Sequence, residues 1–449
     1  MSARTYFGTD GIRGPANQHP LTPDFAVALG RAAASVLATT GDNRHPKVVI
    51  GRDTRISGPM LEAALAAGLN SAGADVELLG VLPTPGVALN CRRLGADFAA
   101  VISASHNPAA DNGIKFFGAD GFKLPDGTEE AIERAIETGS PGVAGDAVGI
   151  IRVVRDARDS YLEAGLNSVS GLNLKGFKVV VDAANGAASG ITAEAFTRLG
   201  AEVVEVAASP DGANINLGCG CTHPSFLEAH VTAAGAHLGI AHDGDADRIL
   251  VVDETGSALD GDEFMAIAAR HLASKGQLPG NKLVSTIMSN FGLDACLQEV
   301  GCQLVRTDVG DRHVIEAMRA NDYALGGEQS GHIIFKQFTT TGDGLVAALQ
   351  IVSIVRETGL PLSELRKCLR KFPQAQAAVP VSSKPDLASV PALQAAITRT
   401  EAALGGAGRV LCRYSGTEPK LRILLEGEDA TQLKLLCDGL EATIKQSIG

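Results

Sequence analysis

Short apolar runs alternate with helix-length stretches over most of the chain. Three successive units begin with a strand, at residues 48–50, 179–181 and 283–286, and continue with a helix. A glycine (Gly73, Gly200 or Gly301) then introduces a second strand, and another helix leads to a strand that ends in a polar loop. Strands that alternate with helices predict layered α/β domains. We therefore expect three repeated α/β domains with mixed, largely parallel sheets, whose loops can face one cleft.

The last part of the chain has a different pattern. From about residue 374 we predict a strand over 377–381, a helix over 390–404, a hairpin of strands 410–412 and 421–425, and a closing helix over 430–448. This is a smaller α+β domain. Because 449 residues are too many for one ordinary core, we place the domains at 1–155, 156–255, 256–372 and 373–449.

An apolar run over residues 98–102 is followed directly by a loop that contains a serine. The run reads as a short buried strand, and residues 103–108, Ser-Ala-Ser-His-Asn-Pro, follow it. Because ligands of α/β folds bind beyond the carboxyl ends of strands, Ser105 is a candidate nucleophile. A serine hydrolase is disfavoured, since the segment lacks a G-x-S-x-G elbow and a His directly beside the Ser rarely acts as its base. Taken alone, the segment is equally consistent with a plain turn ended by Pro108.

Three alternating carboxylates, Asp243, Asp245 and Asp247, lie between two predicted strands. Their spacing imitates a calcium loop, with Glu254 at the twelfth position. The sixth position is Arg248 rather than glycine, however, and the flanks are strand-like, which argues against an EF-hand. We predict an oxygen-only site for a hard divalent cation such as Mg²⁺, with Arg248 beside it to pair with a phosphate. A solvated acidic turn is the alternative.

Two further loops add candidate binding groups. In residues 326–332, Gly-Gly-Glu-Gln-Ser-Gly-His, Glu328 and Ser330 offer hydrogen bonds that suit a sugar, although a simple hairpin turn has the same pattern. Residues 413–420 form the turn of the C-terminal hairpin and look like a phosphate clamp, with a basic-rimmed turn as the alternative. The clamp would use Arg413, Ser415, Gly416, Thr417 and Arg422.

Composition limits the function classes. With 39 Lys plus Arg against 51 Asp plus Glu, the net charge is −12 and nothing indicates nucleic-acid binding. The N-terminus lacks an apolar signal region and no run is long enough to cross a bilayer, so we expect a cytoplasmic protein. The eight cysteines are scattered and are expected to be reduced. Cys219, Cys221 and His223 could bind zinc but lack an obvious fourth ligand.

The four loops together resemble those of the α-D-phosphohexomutase family, and the match covers essentially the whole chain. Residues 103–108 resemble its phosphoserine loop, 243–248 its metal loop, 328–332 its sugar loop and 413–419 its phosphate loop. Residues 7–14, 309–312 and 327–332 are similar to the glucosamine branch. Three positions depart from that branch: Cys221, Ala246 and His313 stand where Ser, Gly and Tyr are more common.

The resemblance implies interconversion of glucosamine 6-phosphate and glucosamine 1-phosphate through a phosphorylated Ser105 and glucosamine 1,6-bisphosphate. It also implies one Mg²⁺, held by Ser105 and the three aspartates. Lys115 is the first candidate for general acid/base work, followed by His106 and His332, with Arg13 stabilising charge. A solvated surface charge is the alternative for Lys115. The implied substrate-binding side chains are Arg248, Arg312, Glu328, Ser330 and the phosphate-loop residues Arg413, Ser415, Gly416, Thr417 and Arg422.

Other functions remain open at this point. A mutase of the same family could act mainly on glucose or mannose phosphates. A metal-dependent sugar phosphatase would use similar carboxylates but release phosphate, and a phosphosugar-binding protein would not react at all. We expect a small phosphosugar as the partner, and neither a nucleic acid nor a membrane; whether the chain forms a homodimer is left open.

Overall fold

The computed structural model describes residues 4–38, 45–415 and 419–449. These residues form two compact units, Met1–Met288 with Cys302–Lys367, and Ser289–Gly301 with Cys368–Gly449. No single helix in the described ranges is long and apolar enough to cross a membrane; one bent helix pair, Gly344–Thr358 with Leu362–Cys368, meets the length and composition requirements together. The domain limits given above stay a prediction.

The first sheet of the larger unit has six strands in the order β1-β5-β4-β2-β3-β6. Strands β4, β2, β3 and β6 run parallel, whereas β5 is antiparallel to β4 and β1. The elements are β1 (Ile12–Pro15), α1 (Pro23–Leu37), β2 (Lys47–Arg52), α2 (Gly58–Ser71), β3 (Asp75–Val81), α3 (Thr84–Arg93), β4 (Phe98–Ile102), β5 (Asp111–Gly118), α4 (Asp126–Thr138) and β6 (Ile151–Val153).

The second sheet has five strands in the order β11-β10-β9-β7-β8. Strands β8, β7 and β9 are parallel, and β10 returns antiparallel to β9. The elements are α5 (Ala157–Asn167), β7 (Lys178–Asp182), α6 (Ile191–Arg198), β8 (Glu202–Val206), α7 (Pro224–Ala234), β9 (Leu238–His242), β10 (Ile249–Asp253) and β11 (Ala258–Leu259).

The third sheet has four strands in the order β13-β12-β14-β15. Strands β13, β12 and β14 are parallel, and β15 is antiparallel to β14. The elements are α8 (Gly261–Ser274), β12 (Lys282–Thr286), α9 (Gly292–Gln298, in the smaller unit), β13 (Gln303–Thr307), α10 (Asp311–Asn321), β14 (Leu325–Gly327), β15 (Ile333–Phe335), α11 (Gly344–Thr358) and α12 (Leu362–Leu365).

The three sheets confirm the predicted repeat. Each has a core of four strands in which the second, first and third in sequence are parallel neighbours and the fourth returns antiparallel to the third. The connections β4–β5, β9–β10 and β14–β15 are therefore equivalent. They carry Ser105, the three aspartates and the loop from Glu328 to His332, so the candidate groups stand at corresponding ends of three related sheets.

Local sequence explains where several elements lie. All five residues of β4 and of β9 are buried, as expected for central strands covered on both faces. Helix α1 begins where the Thr22 side chain accepts a hydrogen bond from the Phe25 N–H, with a proline in its first turn. Asp260 starts α8 in a capping box with Glu263. Asp343 caps α11 by accepting from the Val346 N–H at 3.0 Å.

The smaller unit contains the α+β arrangement predicted for the last part of the chain, and it also includes the segment Ser289–Gly301. Its sheet is antiparallel in the order β16-β18-β17, and its helices bury apolar residues such as Leu393 and Leu433 with Ile423 of the sheet. The elements, besides α9, are β16 (Gln374–Pro380), α13 (Pro391–Leu404), β17 (Arg409–Tyr414), β18 (Lys420–Glu426) and α14 (Ala430–Ser447).

Candidate active site

Ser105 is held in an unusual backbone conformation directly after β4. Its φ is +52°, in the left-handed region that serine rarely adopts, and the residue is 1% exposed. The Ser105 N–H donates to the Ser103 hydroxyl at 2.9 Å, and that hydroxyl donates to Asp53 Oδ2 at 2.7 Å. Such strain persists only where the surroundings impose it, and it is concentrated at functional sites.

Arg55 imposes this loop conformation. Its fully buried guanidinium donates to four main-chain carbonyl oxygens of residues 105–111, including those of Ser105 at 3.0 Å and Asn107 at 2.8 Å. Asp53 Oδ2 accepts from Arg55 Nε at 2.8 Å and supplies the compensating charge. A buried charge is tolerated only when it is paired and hydrogen-bonded, so this pair acts as the scaffold of the Ser105 loop.

The loop of the second sheet meets the Ser105 loop directly. The Ser105 hydroxyl donates to Asp243 Oδ2 at 2.5 Å, and the Asn216 side-chain amide donates to the Ser105 carbonyl at 2.9 Å. At Gly244, an added Cβ would lie 2.7 Å from the Ser105 carbonyl oxygen, so only glycine permits this approach. The two loops that the sequence singled out most strongly therefore share one buried centre.

The three aspartates form a compact group of buried oxygen atoms. One carboxylate oxygen from each of Asp243, Asp245 and Asp247 lies within 4.8 Å of the other two. The Oδ1 atoms of Asp245 and Asp247 are buried and make no hydrogen bond. Buried polar atoms are normally paired, and carboxylate oxygens are the ligands of hard divalent cations. The cluster therefore fits a cation, whereas Cys219, Cys221 and His223 form no comparable cluster in the described ranges.

Lys115, on β5, points into this acidic cluster. Its Nζ lies 2.7 Å from Asp245 Oδ2, 3.2 Å from Asp247 Oδ2 and 3.6 Å from Asp10 Oδ2, and the residue is 2% exposed. The alternative of a solvated surface lysine is therefore wrong. Burial lowers the pKa of Lys115, but the carboxylate of Asp10, followed by those of Asp245 and Asp247, outweighs it and holds the pKa well above its ordinary value.

His106 and Arg13 flank the Ser105 hydroxyl and its loop. His106 Nδ1 lies 3.5 Å from Ser105 Oγ, and burial together with the charges of Arg248 and Arg13 lowers the pKa of His106. Arg13 pairs with Asp10 and donates to the main-chain carbonyl that precedes Ser105 at 3.5 Å. An imidazole with a lowered pKa and a guanidinium thus both lie close to the candidate nucleophile.

His332 brings the third sheet's loop to the same centre. The residue is 3% exposed, with Nδ1 3.8 Å from Asp247 Oδ1 and Nε2 3.3 Å from Asp311 Oδ2. Burial lowers the pKa of His332, but these two carboxylates raise it overall. The loop is also fixed at Gly331, whose carbonyl accepts from the Ile249 N–H at 3.0 Å. All three strand-end loops of the larger unit therefore converge.

The remaining predicted residues of the larger unit have diverse surroundings. The main-chain N–H of Arg248 donates to Asp243 Oδ1 at 3.2 Å, while the buried Nε of its guanidinium group makes no hydrogen bond. Glu328 Oε1 accepts from a main-chain N–H at 3.2 Å, and Ser330 is exposed at the loop tip. Arg312 pairs with Glu129, at 2.8 Å, and with Asp126. The sequence assigned Arg312 to the substrate and gave no sign of these partners.

The comparison with known protein families covers all parts of the chain. The alpha/beta/alpha domains I, II and III of the phosphoglucomutase/phosphomannomutase family match residues 4–142, 159–256 and 260–372 respectively. The C-terminal domain of the same family matches residues 377–442. The chain belongs to the phosphoglucomutase/phosphomannomutase family. It is therefore an enzyme, a phosphosugar mutase, as the resemblance of its loops implied.

Individual members of this family match over nearly full length. The phosphoglucosamine mutase of Syntrophotalea carbinolica is 49% identical over 99% of this chain and 98% of its own. The phosphoglucosamine mutase of Pelotomaculum thermopropionicum is 51% identical over 98% of this chain and 99% of its own. A crystal structure of a family protein from Burkholderia thailandensis has a TM-score of 0.81 and 26% identity, covering 98% of this chain and 97% of that one.

The C-terminal loop belongs to the smaller unit of this mutase. Arg413 and Arg422 are direct cross-strand partners on β17 and β18, so their side chains leave the same face of the sheet. Ser415 is buried at the end of β17. Gly416 and Thr417 lie outside the described residues. The register thus places two guanidinium groups side by side, an arrangement that an anion would stabilise.

Several residues that contact the Ser105 loop or the three aspartates were not predicted from the sequence. Asp53 and Arg55 follow the buried strand β2, and this position at a strand end was the available signal. Thr84 Oγ1 donates to Asp245 Oδ2 at 2.5 Å, and Asn216 reaches the Ser105 carbonyl. Neither has a sequence signature, because both act through contacts between distant segments. Asp10 lies in the predicted stretch 7–14, where only Arg13 was singled out.

Proposed function

We propose that this enzyme interconverts glucosamine 6-phosphate and glucosamine 1-phosphate. The observation that carries the chemistry is the 2.5 Å hydrogen bond from Ser105 Oγ to Asp243 Oδ2, which joins a buried serine to a buried cluster of three carboxylates. The amino sugar is supported by the two relatives named above as phosphoglucosamine mutases, which match over nearly the whole chain.

In this proposal Ser105 carries a phosphoryl group in the active enzyme. A hydroxyl of the bound sugar phosphate attacks the phosphorus; a new O–P bond forms as the Ser105 Oγ–P bond breaks, giving glucosamine 1,6-bisphosphate. The sugar then turns over, and its other phosphoryl group returns to Ser105. Catalysis of such a transfer depends mainly on positioning and electrostatics, and the strained, fully bonded loop around Ser105 supplies a fixed position.

The residues that would hold Mg²⁺ are Asp243, Asp245 and Asp247, together with the phosphorylated Ser105. Two buried carboxylate oxygens without hydrogen bonds, on Asp245 and Asp247, support this assignment. A bound Mg²⁺ would offset negative charge on the transferred phosphoryl group. Arg248, next to the cluster, is assigned to the substrate's phosphoryl oxygens because a guanidinium binds them in a bidentate manner.

Each transfer moves one proton from the attacking hydroxyl and delivers one to the departing oxygen. Lys115 remains the first candidate for this general acid/base work, because its buried ammonium group, whose pKa the surrounding carboxylates raise, holds a proton that it can donate to the departing oxygen. His106 is the second, since its Nδ1 lies 3.5 Å from Ser105 Oγ and its lowered pKa favours a neutral ring that can accept a proton. His332 follows, and Arg13 would stabilise developing charge.

The substrate contacts rest on the loop motifs. Glu328 and Ser330 are proposed to bind sugar hydroxyls, and Arg312 to become available when its pairs with Glu129 and Asp126 open. The non-reacting phosphate is assigned to the C-terminal loop, where the neighbouring guanidinium groups of β17 and β18 support an anion site. The assigned residues there are Arg413, Ser415, Gly416, Thr417 and Arg422.

The deciding experiment compares kcat/KM for glucosamine, glucose and mannose 6-phosphates, each with Mg²⁺ and its matching bisphosphate. We expect a large preference for glucosamine. Equal or higher values with glucose or mannose would identify a general hexose phosphate mutase instead. Release of inorganic phosphate without isomerisation would identify a phosphatase and contradict the proposal.

The covalent step has its own test. Peptide mapping of the active protein should find one added phosphoryl group, about 80 Da, on the Ser105 peptide. Ser105→Ala should lose both this group and mutase activity, while Ser103→Ala should keep the phosphorylation site. Full activity in Ser105→Ala would exclude Ser105 as the nucleophile.

A further inference from the structure

Lys123 joins two carboxylates that belong to different parts of the larger unit. Its Nζ lies 2.5 Å from Asp311 Oδ2 on α10 and also pairs with Asp10 Oδ1. The side chains are 7%, 12% and 19% exposed for Lys123, Asp311 and Asp10 respectively. A single ammonium group thus neutralises two largely buried carboxylates that would otherwise face each other.

Each of these carboxylates also contacts a residue of the proposed machinery. The other oxygen of Asp10, Oδ2, lies 3.6 Å from Lys115 Nζ. Asp311 Oδ2 lies 3.3 Å from His332 Nε2. The chain of charges therefore runs from Lys115 through Asp10, Lys123 and Asp311 to His332, and links the β5 strand of the first sheet to the loop of the third sheet.

The turn that carries Lys123 is firmly docked. The Gly118 N–H donates to the Phe122 carbonyl at 2.8 Å, which closes the turn. Arg319 of α10 lies over the Phe122 ring, with 3.9 Å from its Cζ to the ring centroid, and pairs with Asp120 at 3.0 Å. Because these contacts fix the turn without Lys123, removing its charge should leave the turn in place and release the two carboxylates.

We propose that Lys123 is a positioning residue that sets the placement of Lys115 and His332 together. Asp10 Oδ2 pairs with Arg13 and lies near Lys115, while Lys123 engages the other oxygen, Oδ1. Without the Lys123 ammonium group Oδ1 loses its partner, and Asp10 can rotate about its contact with Arg13 to bring Oδ1 toward Lys115, where it competes with Asp245 and Asp247. At the other end, Asp311 would lose the partner that keeps it beside His332. This inference rests on the proposed function of the centre and extends it to a residue outside the loop motifs.

The test is the steady-state kinetics of Lys123→Met, with whichever hexose phosphate the wild-type enzyme turns over best. We expect kcat to fall by about 10- to 100-fold, because small displacements of reacting groups cost that much, while KM changes by less than about threefold since Lys123 has no proposed contact with substrate. Lys123→Arg, which can still reach both carboxylates, should recover most of the loss.

Arg319→Leu is the matched control, because it removes contacts to the same turn without touching Asp10 or Asp311. It should keep kcat near the wild-type value. Equal kcat losses in Lys123→Met and Arg319→Leu, or a loss in Lys123→Met that Lys123→Arg does not recover, would show a merely structural brace and overturn the inference.

The partner variant Asp311→Asn separates the two ends of the network. In a double variant with Lys123→Met, we expect a kcat no lower than that of the slower single variant, because both changes break the same link. Independent, multiplying losses would contradict the link. Wild-type protein that turns over no hexose phosphate would instead refute the proposed function, while normal wild-type turnover with unchanged kcat in Lys123→Met would refute only the positioning role.

Discussion

The carbonyl oxygen of Ser105 accepts hydrogen bonds from both Asn216 and Arg55, at 2.9 Å and 3.0 Å. Asn216 comes from the segment between β8 and α7, whereas Arg55 follows β2 in the first sheet. The residue that we propose as the nucleophile is therefore held through its main chain by two sheets at once. The position of Ser105 is therefore fixed by main-chain contacts that do not depend on the hydrogen bond from its hydroxyl to Asp243.

Arg55→Lys should disable the enzyme without unfolding it. A lysine keeps the positive charge, but its single ammonium cannot reproduce the planar set of donors that reaches four carbonyl oxygens. We expect mutase activity to fall by at least about 100-fold. Arg52→Lys is the control and should stay near wild type, because Arg52 lies at the end of β2, pairs with Glu62 at 3.3 Å and donates to a single main-chain carbonyl, that of Asp53, at 3.4 Å. An Arg55→Lys enzyme within threefold of wild type would contradict the scaffold role.

Ala246→Gly should stabilise the metal loop. The φ of Ala246 is +54°, so the departure from the family's glycine noted in the sequence places a Cβ on a left-handed residue. Glycine relieves that strain, but it also raises the conformational entropy of the unfolded chain, which opposes folding. The net effect should be about 0.5–1 kcal/mol of added stability. Thermal unfolding measures the change, and Ala241→Gly, in the extended strand β9, should have the opposite sign. A lower Tm for Ala246→Gly would refute this reasoning.

Asp343→Asn should change how stability depends on pH. Asp343 caps α11 and accepts from the Tyr161 hydroxyl at 2.7 Å, and burial raises its pKa to about 6. The folded state therefore holds a proton that the unfolded state releases near pH 4, so wild-type stability falls as pH rises from about 4 to about 6. The free energy of unfolding of Asp343→Asn, measured relative to wild type, should rise by up to about 3 kcal/mol between pH 4 and pH 6. Above pH 6 the difference between the two proteins should stay constant.

Thermal midpoints of the two proteins between pH 4 and pH 8 test this expectation. The control is Asp429→Asn, which changes an exposed cap of α14. Curves for wild type and Asp343→Asn that stay parallel throughout would show that the Asp343 carboxyl does not titrate in this interval.

Mg²⁺ should stabilise the folded enzyme as well as activate it. Binding to the native state alone raises stability by about 2.7 kcal/mol at a concentration 100 times the Kd. Chelation should abolish mutase activity and lower the Tm, and added Mg²⁺ should restore both. A variant with Asp245→Asn and Asp247→Asn should show no Mg²⁺-dependent rise. Equal rises with Mg²⁺ and with KCl of the same ionic strength would argue against a specific site.

Local patterns were sufficient to predict the architecture. The three glycine-introduced strands and the polar loops after residues 102, 242 and 327 indicate the repeat. Strands and turns can be predicted in this way because they depend mainly on residues that are close together in sequence. The same logic predicted Ser105 and the three aspartates as site residues, and the structure brings them together. In the smaller unit, the predicted strands and helices agree with the observed ones to within a few residues.

Contacts between distant segments could not be read from local patterns. Arg55 resembles any charged residue after a strand, and its four carbonyl partners lie 50 to 56 positions away. The pairs of Arg312 with Glu129 and Asp126 were not predicted, because charge alone does not reveal which partner a folded chain brings near. Lys123 lies outside all four motifs and owes its importance to Asp10 and Asp311.

The residues that we propose for the active centre span the chain from Asp10 to His332, so the ribosome supplies them one after another. The Ser105 loop and the aspartates emerge first, before the loop of the third sheet that carries His332 has been made. Only after residue 332 has left the exit tunnel can His332 reach Asp247 and Asp311. A nascent chain that stalls before this point cannot form the complete centre, even though Ser105 and the three aspartates are already made.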